Sequence, residues 1–349
     1  MAKKALKNGI KATQNGVCAL TGAPLADETA LFDTDRKAPK ADGGTYTLEN
    51  TRVVDPVAHQ KRHNTLRTRE GVFQELKDMV GAREQTLKLY LKINNQVLAY
   101  KRNVDSLAQD ELEFLESQLP VFRFRERRHH ASIIKLVEEY AKVDALTEAA
   151  LGVRGVGPMT VGYCLVNIDL AGKLPELDEK GTPKKDKKGN PILTDIDKAR
   201  HASSLWKYAG LDKPSHERYK KGEKGGGNKA LRCILWNMAE SQVKCGGAYR
   251  EVYDRAKARL SVSEKVVKSR NTEGILIECA WKDTKPCHRA GAGLRLIMKH
   301  FLADWWYVGR TLLGLEVGPL YPEAVLGGNH RTIMPAERGW IYKRPSGKD

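Results

Sequence analysis

The apolar residues between residues 71 and 150 recur every three or four positions, with charged residues between them. This spacing places the apolar side chains on one face of a helix and predicts a helical hairpin or a coiled coil. Pro120 lies within the pattern, and because proline removes a backbone donor we expect the helix to break near it. A coiled coil at residues 71–150 would also offer a surface for a homodimer.

The pattern changes on both sides of this spacer. Residues 1–70 hold short apolar stretches between glycine, proline and aspartate, which predicts a small loop-rich ββα module with a hairpin. Helical periodicity returns over residues 151–317, interrupted by an insertion at 171–198 that is either a β-hairpin flap or a disordered loop. Residues 318–349 are rich in proline and glycine and predict an extended tail on the surface. The predicted fold class is mainly α.

The charge of the chain narrows its possible partners. Sixty Lys and Arg against 43 Asp and Glu give a formal net charge of +17, which favours a polyanion and above all nucleic acid. No membrane partner is expected, because the sequence has no long apolar run and no basic amphipathic helix with a clean apolar face. The six cysteines form no C-x-x-C pair and no signal-peptide pattern is present, which predicts a cytoplasmic protein.

A glycine-rich turn, LGVRGVGPMTVGYCL at 151–165, separates two apolar runs. In a helix-hairpin-helix unit, such a turn directs the first N–H groups of the second helix outward, where they hold a phosphate oxygen. Gly155 and Gly157 would permit close approach, and Val156 would anchor the turn in the core. Pro158 suits the first position of the following helix. The alternative is a turn that only joins two packed helices. The candidate phosphate-binding residues of the turn are Gly155, Gly157 and Thr160.

A basic segment follows further along the chain, between Lys213 and Arg232. It has seven Lys and Arg against two Glu and contains the glycine cluster KGEKGGGN. A mobile cationic loop that leads into a helix can follow a phosphate backbone; the alternative is a solvated loop. The candidate nucleic-acid-binding residues are Lys213, Arg218, Lys220, Lys221, Lys224, Lys229 and Arg232.

A second basic stretch, FRFRERRHH at 122–130, interleaves aromatic residues with arginines. This arrangement can stack bases and grip phosphates. On a helix it can equally be one charged face with two apolar anchors. The candidate nucleic-acid-binding residues are Arg123, Arg125, Arg127 and Arg128.

Three separated motifs resemble one known family. GVGPMT at 155–160, YAGL at 208–211 and GNKALR at 227–232 match, in order and approximate spacing, the C-terminal domain of DEDD-type insertion-sequence transposases. The resemblance covers about residues 150–315 apart from the insertion, and the helices of 80–150 resemble the coiled coil that precedes that domain. These transposases are RNA-guided recombinases, so the resemblance implies a nucleic-acid-holding domain in a bacterial, phage or mobile-element context.

The chain departs from this family at its chemistry. The family places a nucleophilic serine in the loop between the second and third motifs, where this chain has only Ser215, without the expected glycine neighbour. The first 80 residues do not resemble the RuvC-like domain that supplies the acidic metal ligands of the family. We therefore expect no strand-transfer activity.

The N-terminal module resembles the HNH endonucleases. Gly43–Thr45, Asn50 and the pair His59-x3-His63 fall as in the ββα unit of that family. The resemblance implies a divalent metal (Mg, Mn or Zn) held by Asp35, His59 and His63. The two histidines would share one helix face, a geometry suited to binding one metal.

The position of the general base in this module is occupied by Arg36. Arginine stays protonated and cannot take a proton from water. We therefore interpret residues 1–70 as a degenerate HNH-like module kept for nucleic-acid binding or protein contacts; the alternative is a small cap unrelated to nucleases. The remaining candidate catalytic residues are Asp35, Asn50 and Ser215.

The leading hypothesis is a nucleic-acid-binding protein derived from a transposase-like domain. It would hold DNA or structured RNA mainly through backbone contacts, without strand transfer. One alternative is an active metal-dependent HNH-type nuclease or recombinase. The other is a structural component of a nucleoprotein assembly.

Overall fold

We describe the protein from a computed structural model. The chain divides into two compact units, residues 1–71 and 72–349. The structure describes residue 17, the backbone of 33–36 and 51–54, and residues 69–102, 109–178, 182–186, 189–213, 226–271, 273–319 and 333–343.

The first unit contains a β-hairpin, as predicted. Strand β1 (Asp33–Arg36) pairs antiparallel with β2 (Thr51–Val54), which places Asp35 opposite Arg52. The other candidate residues of the HNH-like module, Asn50, His59 and His63, lie outside the described residues.

Two long helices form an antiparallel helical hairpin at the start of the second unit. Helix α1 (Arg69–Arg102) and helix α2 (Gln109–Ala141) run antiparallel and are joined by individual side-chain contacts. The rings of Phe73 and Tyr140 lie 6.0 Å apart at one end, and Lys101 Nζ lies 2.6 Å from Glu116 Oε1 at the other. The buried residues Val72, Leu76 and Val80 of α1 recur at four-residue steps, in agreement with the sequence pattern.

The predicted break near Pro120 is wrong, because α2 runs through this residue. A proline inside a helix removes one intrahelical hydrogen bond and tends to bend the helix. Pro120 is exposed on α2, so within one copy of the chain the proline ring does not disturb the packed side of the helix. The apolar spacing on both sides of it keeps the helix continuous.

Six further helices, all shorter than α1 and α2, follow in the described part of the second unit. Asp144 caps the first of them by accepting a hydrogen bond from Thr147 N at 2.9 Å, and Asn228 caps another through Leu231 N at 3.0 Å. The helices are α3 (Ala145–Leu151), α4 (Pro158–Asn167), α5 (Ala202–Tyr208), α6 (Lys229–Lys244), α7 (Arg250–Ser261) and α8 (Pro286–Leu312).

The core lies around α8. Ile297, Phe301 and Trp305 follow each other at four-residue spacing on this helix and are buried. The same core includes Leu76 of α1 and Ile133 of α2, so the helices on both sides of residue 150 share it. The described part of the protein is thus mainly helical, as the sequence pattern predicts.

Two further hairpins accompany the helices. Strands β3 (Lys173–Pro175) and β4 (Leu193–Asp197) pair antiparallel, so the insertion forms a β-hairpin flap, the first of its two predicted alternatives. Strands β5 (Val266–Arg270) and β6 (Leu276–Ala280) form a hairpin that the sequence pattern did not predict.

The surface tail expected over residues 318–349 is wrong for residues 335–340, which pack onto the protein. Residues 335–338 form a 3₁₀ turn, and Trp340 is only 1% exposed. The Trp340 ring packs edge-on against Trp305, and Arg338 Nη1 donates to Asp304 Oδ1 at 2.7 Å. Composition missed this docking because it depends on one tryptophan and one arginine within a proline- and glycine-rich stretch.

Candidate nucleic-acid interface

The turn between α3 and α4 has the geometry that its sequence predicts. Gly155 has a φ of 86°, a conformation that glycine adopts without steric cost. Val156 is 7% exposed and belongs to the core. Pro158 occupies the first turn of α4, where its missing N–H costs nothing. The turn is therefore anchored by Val156, while Gly155 and Gly157 are half-buried beside it.

A buried glutamine of α6 holds the turn from below. Gln242 is fully buried, and its Nε2 donates to Arg154 O at 2.9 Å. Its Oε1 accepts from Tyr249 N at 3.1 Å. A Cβ added to Gly155 would lie 2.8 Å from Gln242 Nε2. The sequence pattern did not reveal this clamp, although a polar residue at an apolar position of α6 was a signal for it.

The start of α4 presents unpaired backbone donors. Thr160 N and Val161 N both donate to Gly157 O, whereas Gly157 N and Met159 N have no hydrogen-bond partner among the described residues. A Cβ on Gly157 would stand in open space. These donors lie at the positive end of the helix dipole, which favours an anion. The Thr160 side chain is 5% exposed and lies in the protein interior, so it is not part of this surface.

The other two motifs of the basic domain meet at the opposite end of α6. Gly210 and Gly227 both have a φ of 67°. A Cβ on Gly227 would lie 2.3 Å from Gly210 N, so the two turns need glycine to approach this closely. Asn228 Nδ2 donates to Asn167 Oδ1 at 2.6 Å, which ties the start of α6 to the end of α4.

The described residues of the basic segment surround this junction. Lys229 is exposed and Lys213 half-buried. Arg232 is half-buried, and its Nη1 lies 3.4 Å from the carbonyl oxygens of Gly210 and Gly226, so part of its hydrogen-bonding capacity supports the fold. The remaining candidates of the segment lie outside the described residues: Ser215, Arg218, Lys220, Lys221 and Lys224.

Two cationic residues of α8, which the sequence pattern did not reveal, lie near the junction at the start of α6. Arg295 Nη2 donates to Lys213 O at 2.8 Å, and Lys299 Nζ lies 5.2 Å from the ring centre of Trp206. Burial, followed by the charge of Arg295, lowers the pKa of Lys299. The shift mainly reflects the burial of Lys299, and the smaller contribution of Arg295 shows that the two cations lie close together. Only tertiary structure brings these residues beside Lys213, so no local sequence signal could have found them.

The turn at residues 155–157 and the described residues of the basic segment lie at opposite ends of α6, not side by side. Gln242 beneath the turn and Asn228 at the junction are 14 positions apart on α6, which corresponds to about 21 Å of helix. The exposed positions between the two ends form what we call the α6 stripe: Lys229, Cys233, Asn237 and Lys244. An open pocket of ≈ 460 Å³ lies against the stripe near Gly155, lined by Asn237, Glu240, Ser241, Lys244 and Cys245.

The arginines of the FRFRERRHH stretch lie on α2. Arg123 Nη2 donates to Tyr90 OH of α1 at 2.8 Å. The guanidinium groups of Arg125 and Arg128 lie 6.0 Å from the ring centres of their own helical neighbours. Arg127 is exposed. These residues belong to a different helix from the α6 stripe.

The candidate metal site of Asp35, His59 and His63 stays a prediction, because both histidines lie outside the described residues. Within the described residues, no group of three His, Cys, Asp or Glu could hold a metal ion. The largest pKa shifts of acidic and histidine side chains are at buried groups of α8: burial raises the pKa of Asp304 to about 6 and lowers that of His300 to about 4. Both residues contact Arg338, so they serve the docking of residues 335–340.

Comparison with protein-family models, with curated proteins and with solved structures gives no match for the chain. Among the residues that the structure describes, no helix combines the length and the apolar character needed to cross a membrane. The function must therefore be argued from the site itself.

Proposed function

We propose that the protein binds nucleic acid, DNA or structured RNA, mainly through the phosphate backbone along the α6 stripe. The observation that carries the proposal is the pair of N–H groups at Gly157 and Met159, which have no partner among the described residues and lie at one end of a stripe whose other end is surrounded by cations. Backbone donors at a helix start hold phosphate oxygens without reading bases.

The dimensions of the stripe suit a sugar-phosphate strand. Its ends lie about 21 Å apart along α6, and the phosphates of one strand of a duplex are spaced about 3.4 Å apart along the duplex axis. A duplex segment of about six base pairs whose axis follows α6 would therefore span the distance from the turn to Lys229. The basic net charge of +17 adds a long-range attraction for the same polymer.

The motif resemblance suggests the origin of the binding domain. The GVGPMT, YAGL and GNKALR motifs contribute the turn, the Gly210 junction and the start of α6. We propose that this transposase-like arrangement is kept for holding nucleic acid, with no strand transfer, because the serine expected next to glycine is absent from the loop.

A binding and cutting experiment tests this function. The full chain is titrated against labelled single- and double-stranded DNA and double-stranded RNA, with and without Mg²⁺ or Mn²⁺, and anisotropy and gels are read in parallel. We expect binding with little sequence preference, steep weakening with salt, and intact strands.

Other outcomes would replace the proposal. Metal-dependent cutting that disappears in His59→Ala would favour the HNH-type nuclease. Failure to bind any of the three polymers at low salt would reject nucleic-acid binding and leave the role of a structural component held by protein contacts.

A further inference from the structure

The outer face of α2 carries a second stripe of regularly spaced residues. The side chains of α2 that contact α1 include Glu116, Arg123 and Glu126. A different set recurs at alternating steps of four and three residues, and every member is exposed: Asp110, Phe114, Ser117, Val121, Phe124 and Arg128. Phe114 and Phe124 are 63% and 62% exposed. We call this set the α2 outer stripe; its spacing is that of a helix-packing seam.

The α2 outer stripe is symmetric about residue 119. Phe114 and Phe124 are equidistant from this centre, and so are Ser117 and Val121. Asp110 and Arg128, at the two ends, are also equidistant from it and carry opposite charges. An antiparallel copy of the same helix would therefore meet phenylalanine with phenylalanine and aspartate with arginine.

The residues flanking the stripe follow the same rule. Glu111 and Glu113 lie before the centre, and Arg125 and Arg127 lie after it. All four are exposed, and none forms an ion pair within the described part of the chain. In an antiparallel helix pair the flanking positions of the two helices face each other. The acidic pair of one copy would then lie within one turn of the basic pair of the other.

We propose that the α2 outer stripe is a self-association surface, on which a second copy of this chain packs its own α2 in antiparallel orientation. The contact is isologous, because one patch meets the same patch across a twofold axis. Glu111 pairs with Arg125 of the second copy, and Glu113 with its Arg127. The charge complementarity and the paired phenylalanines favour this occupant over nucleic acid, since the acidic third of α2 repels phosphates.

The size of the surface sets the expected strength. The stripe spans 19 residues, which is about 28 Å of helix. Two helices packed over this length bury an area at the low end for specific complexes. The dimer is therefore expected to dissociate on dilution.

The inference is independent of the nucleic-acid proposal. It uses α2 alone and assigns Arg125, Arg127 and Arg128 to protein contacts, while the α6 stripe stays free. A twofold dimer would present two α6 stripes to one polymer, and linked binding sites raise the apparent affinity without new contacts.

A charge-swap experiment tests the pairing in the full chain after nuclease treatment, with molar mass measured by sedimentation over a range of concentrations. The unmodified chain is expected to shift from monomer to dimer. Arg125→Glu with Arg127→Glu makes every flanking residue acidic, and Glu111→Arg with Glu113→Arg makes every one basic. Each double variant is expected to remain monomeric because like charges face each other. An equimolar mixture of the two is expected to regain the dimer.

The controls distinguish pairing through this surface from a general effect of charge reversal or misfolding. Lys77→Glu with Lys88→Glu, which reverses two exposed charges elsewhere on the hairpin, is expected to dimerise normally, and far-ultraviolet circular dichroism checks folding. A monomeric unmodified chain overturns the proposal. So does a mixture that stays monomeric although both double variants are folded. Loss of the dimer on nuclease treatment, with weaker DNA binding by Arg125→Glu and Arg127→Glu, would instead assign these arginines to nucleic acid.

Discussion

The C-terminal half of α8 and the exposed side of α6 both carry charged side chains, but the two regions differ in what those charges contact. Asp304 of α8 is 1% exposed and accepts from Arg338 and from Tyr249 OH. Arg310, also buried, donates to Asp197 Oδ2 at 2.8 Å. On α6, Lys229 points into solvent and joins no such network among the residues described.

This difference separates structural charge from charge that a ligand can use. A buried charge must be paired or it destabilises the fold, so the α8 charges fasten the flap and the segment 335–340 onto the core. The exposed cations of α6 contribute little to stability, including Lys244 in its exposed pair with Glu240 at 3.4 Å, and both lysines of the stripe remain accessible to phosphates. The net charge of the chain does not distinguish buried, paired charges from exposed charges that a ligand can contact.

The largest effect is expected from breaking the buried network. Arg338→Ala would leave the Asp304 carboxyl buried without its main partner, which typically costs about 3–5 kcal/mol of unfolding free energy. Urea denaturation measures this loss, with the exposed Arg259→Ala of α7 as a control expected within about 0.5 kcal/mol of the unmodified chain. An equally small effect of Arg338→Ala would show that residues 335–340 are not docked through this pair.

Effects of intermediate size are expected from substitutions of the two glycines of the turn, one of which supports the fold and the other the binding surface. Gly155→Ala forces a positive φ on alanine and meets Gln242, so it is expected to lower the unfolding free energy by about 1–3 kcal/mol.

Gly157→Ala has an ordinary φ of −104° and open space for its methyl group. It is expected to lower the unfolding free energy by at most about 1 kcal/mol, because alanine is a poorer N-cap residue than glycine, and to weaken binding about tenfold, because the methyl group obstructs phosphate access to the amides. Denaturation and anisotropy measure the two effects, and normal binding by Gly157→Ala would remove the turn from the interface.

A smaller effect is expected in the pH dependence of stability. The raised pKa of Asp304, about 6 against 3.8, means that its contribution is lost as pH rises through that interval. The lowered pKa of His300, about 4 against 6.5, has the opposite sign: its contribution grows as pH rises from about 4 to 6.5. Because the two slopes oppose each other, they largely cancel in the unmodified chain.

Replacing one of the two residues at a time reveals the pH dependence of stability that the other contributes. Relative to the unmodified chain, Asp304→Asn is expected to gain stability more steeply as pH rises from about 4 to 6, and His300→Asn is expected to lose stability over the same range. Urea denaturation at a series of pH values measures both. Slopes identical to that of the unmodified chain would show that neither group titrates abnormally.

The sequence was sufficient wherever periodicity or local backbone chemistry decides the structure. Three-to-four spacing predicted the hairpin of α1 and α2, and the turn residues Gly155, Val156 and Pro158 took the predicted places. The break expected near Pro120 did not occur, because one proline on an exposed side does not outweigh the packing of the helix around it.

Long-range contacts could not be predicted from the sequence for a physical reason. Gln242 clamps the turn from 88 residues away, and Arg338 reaches Asp304 across 34 residues. Neither pairing leaves a local pattern, since a single polar residue acquires its role only when the fold supplies a partner. Arg295 and Lys299 joined the candidate interface in the same way, through the approach of α8 to Lys213.

The salt dependence of binding by lysine variants of the α6 stripe is the most direct test. Anisotropy titrations between about 50 and 200 mM salt give the slope of log affinity against log salt, which falls by about one for each phosphate that the protein no longer neutralises. Lys229→Gln and Lys244→Gln are each expected to lower the slope by about one and the double variant by about two, while the exposed Lys265→Gln leaves it unchanged. Slopes for both stripe variants equal to that of Lys265→Gln would contradict the account.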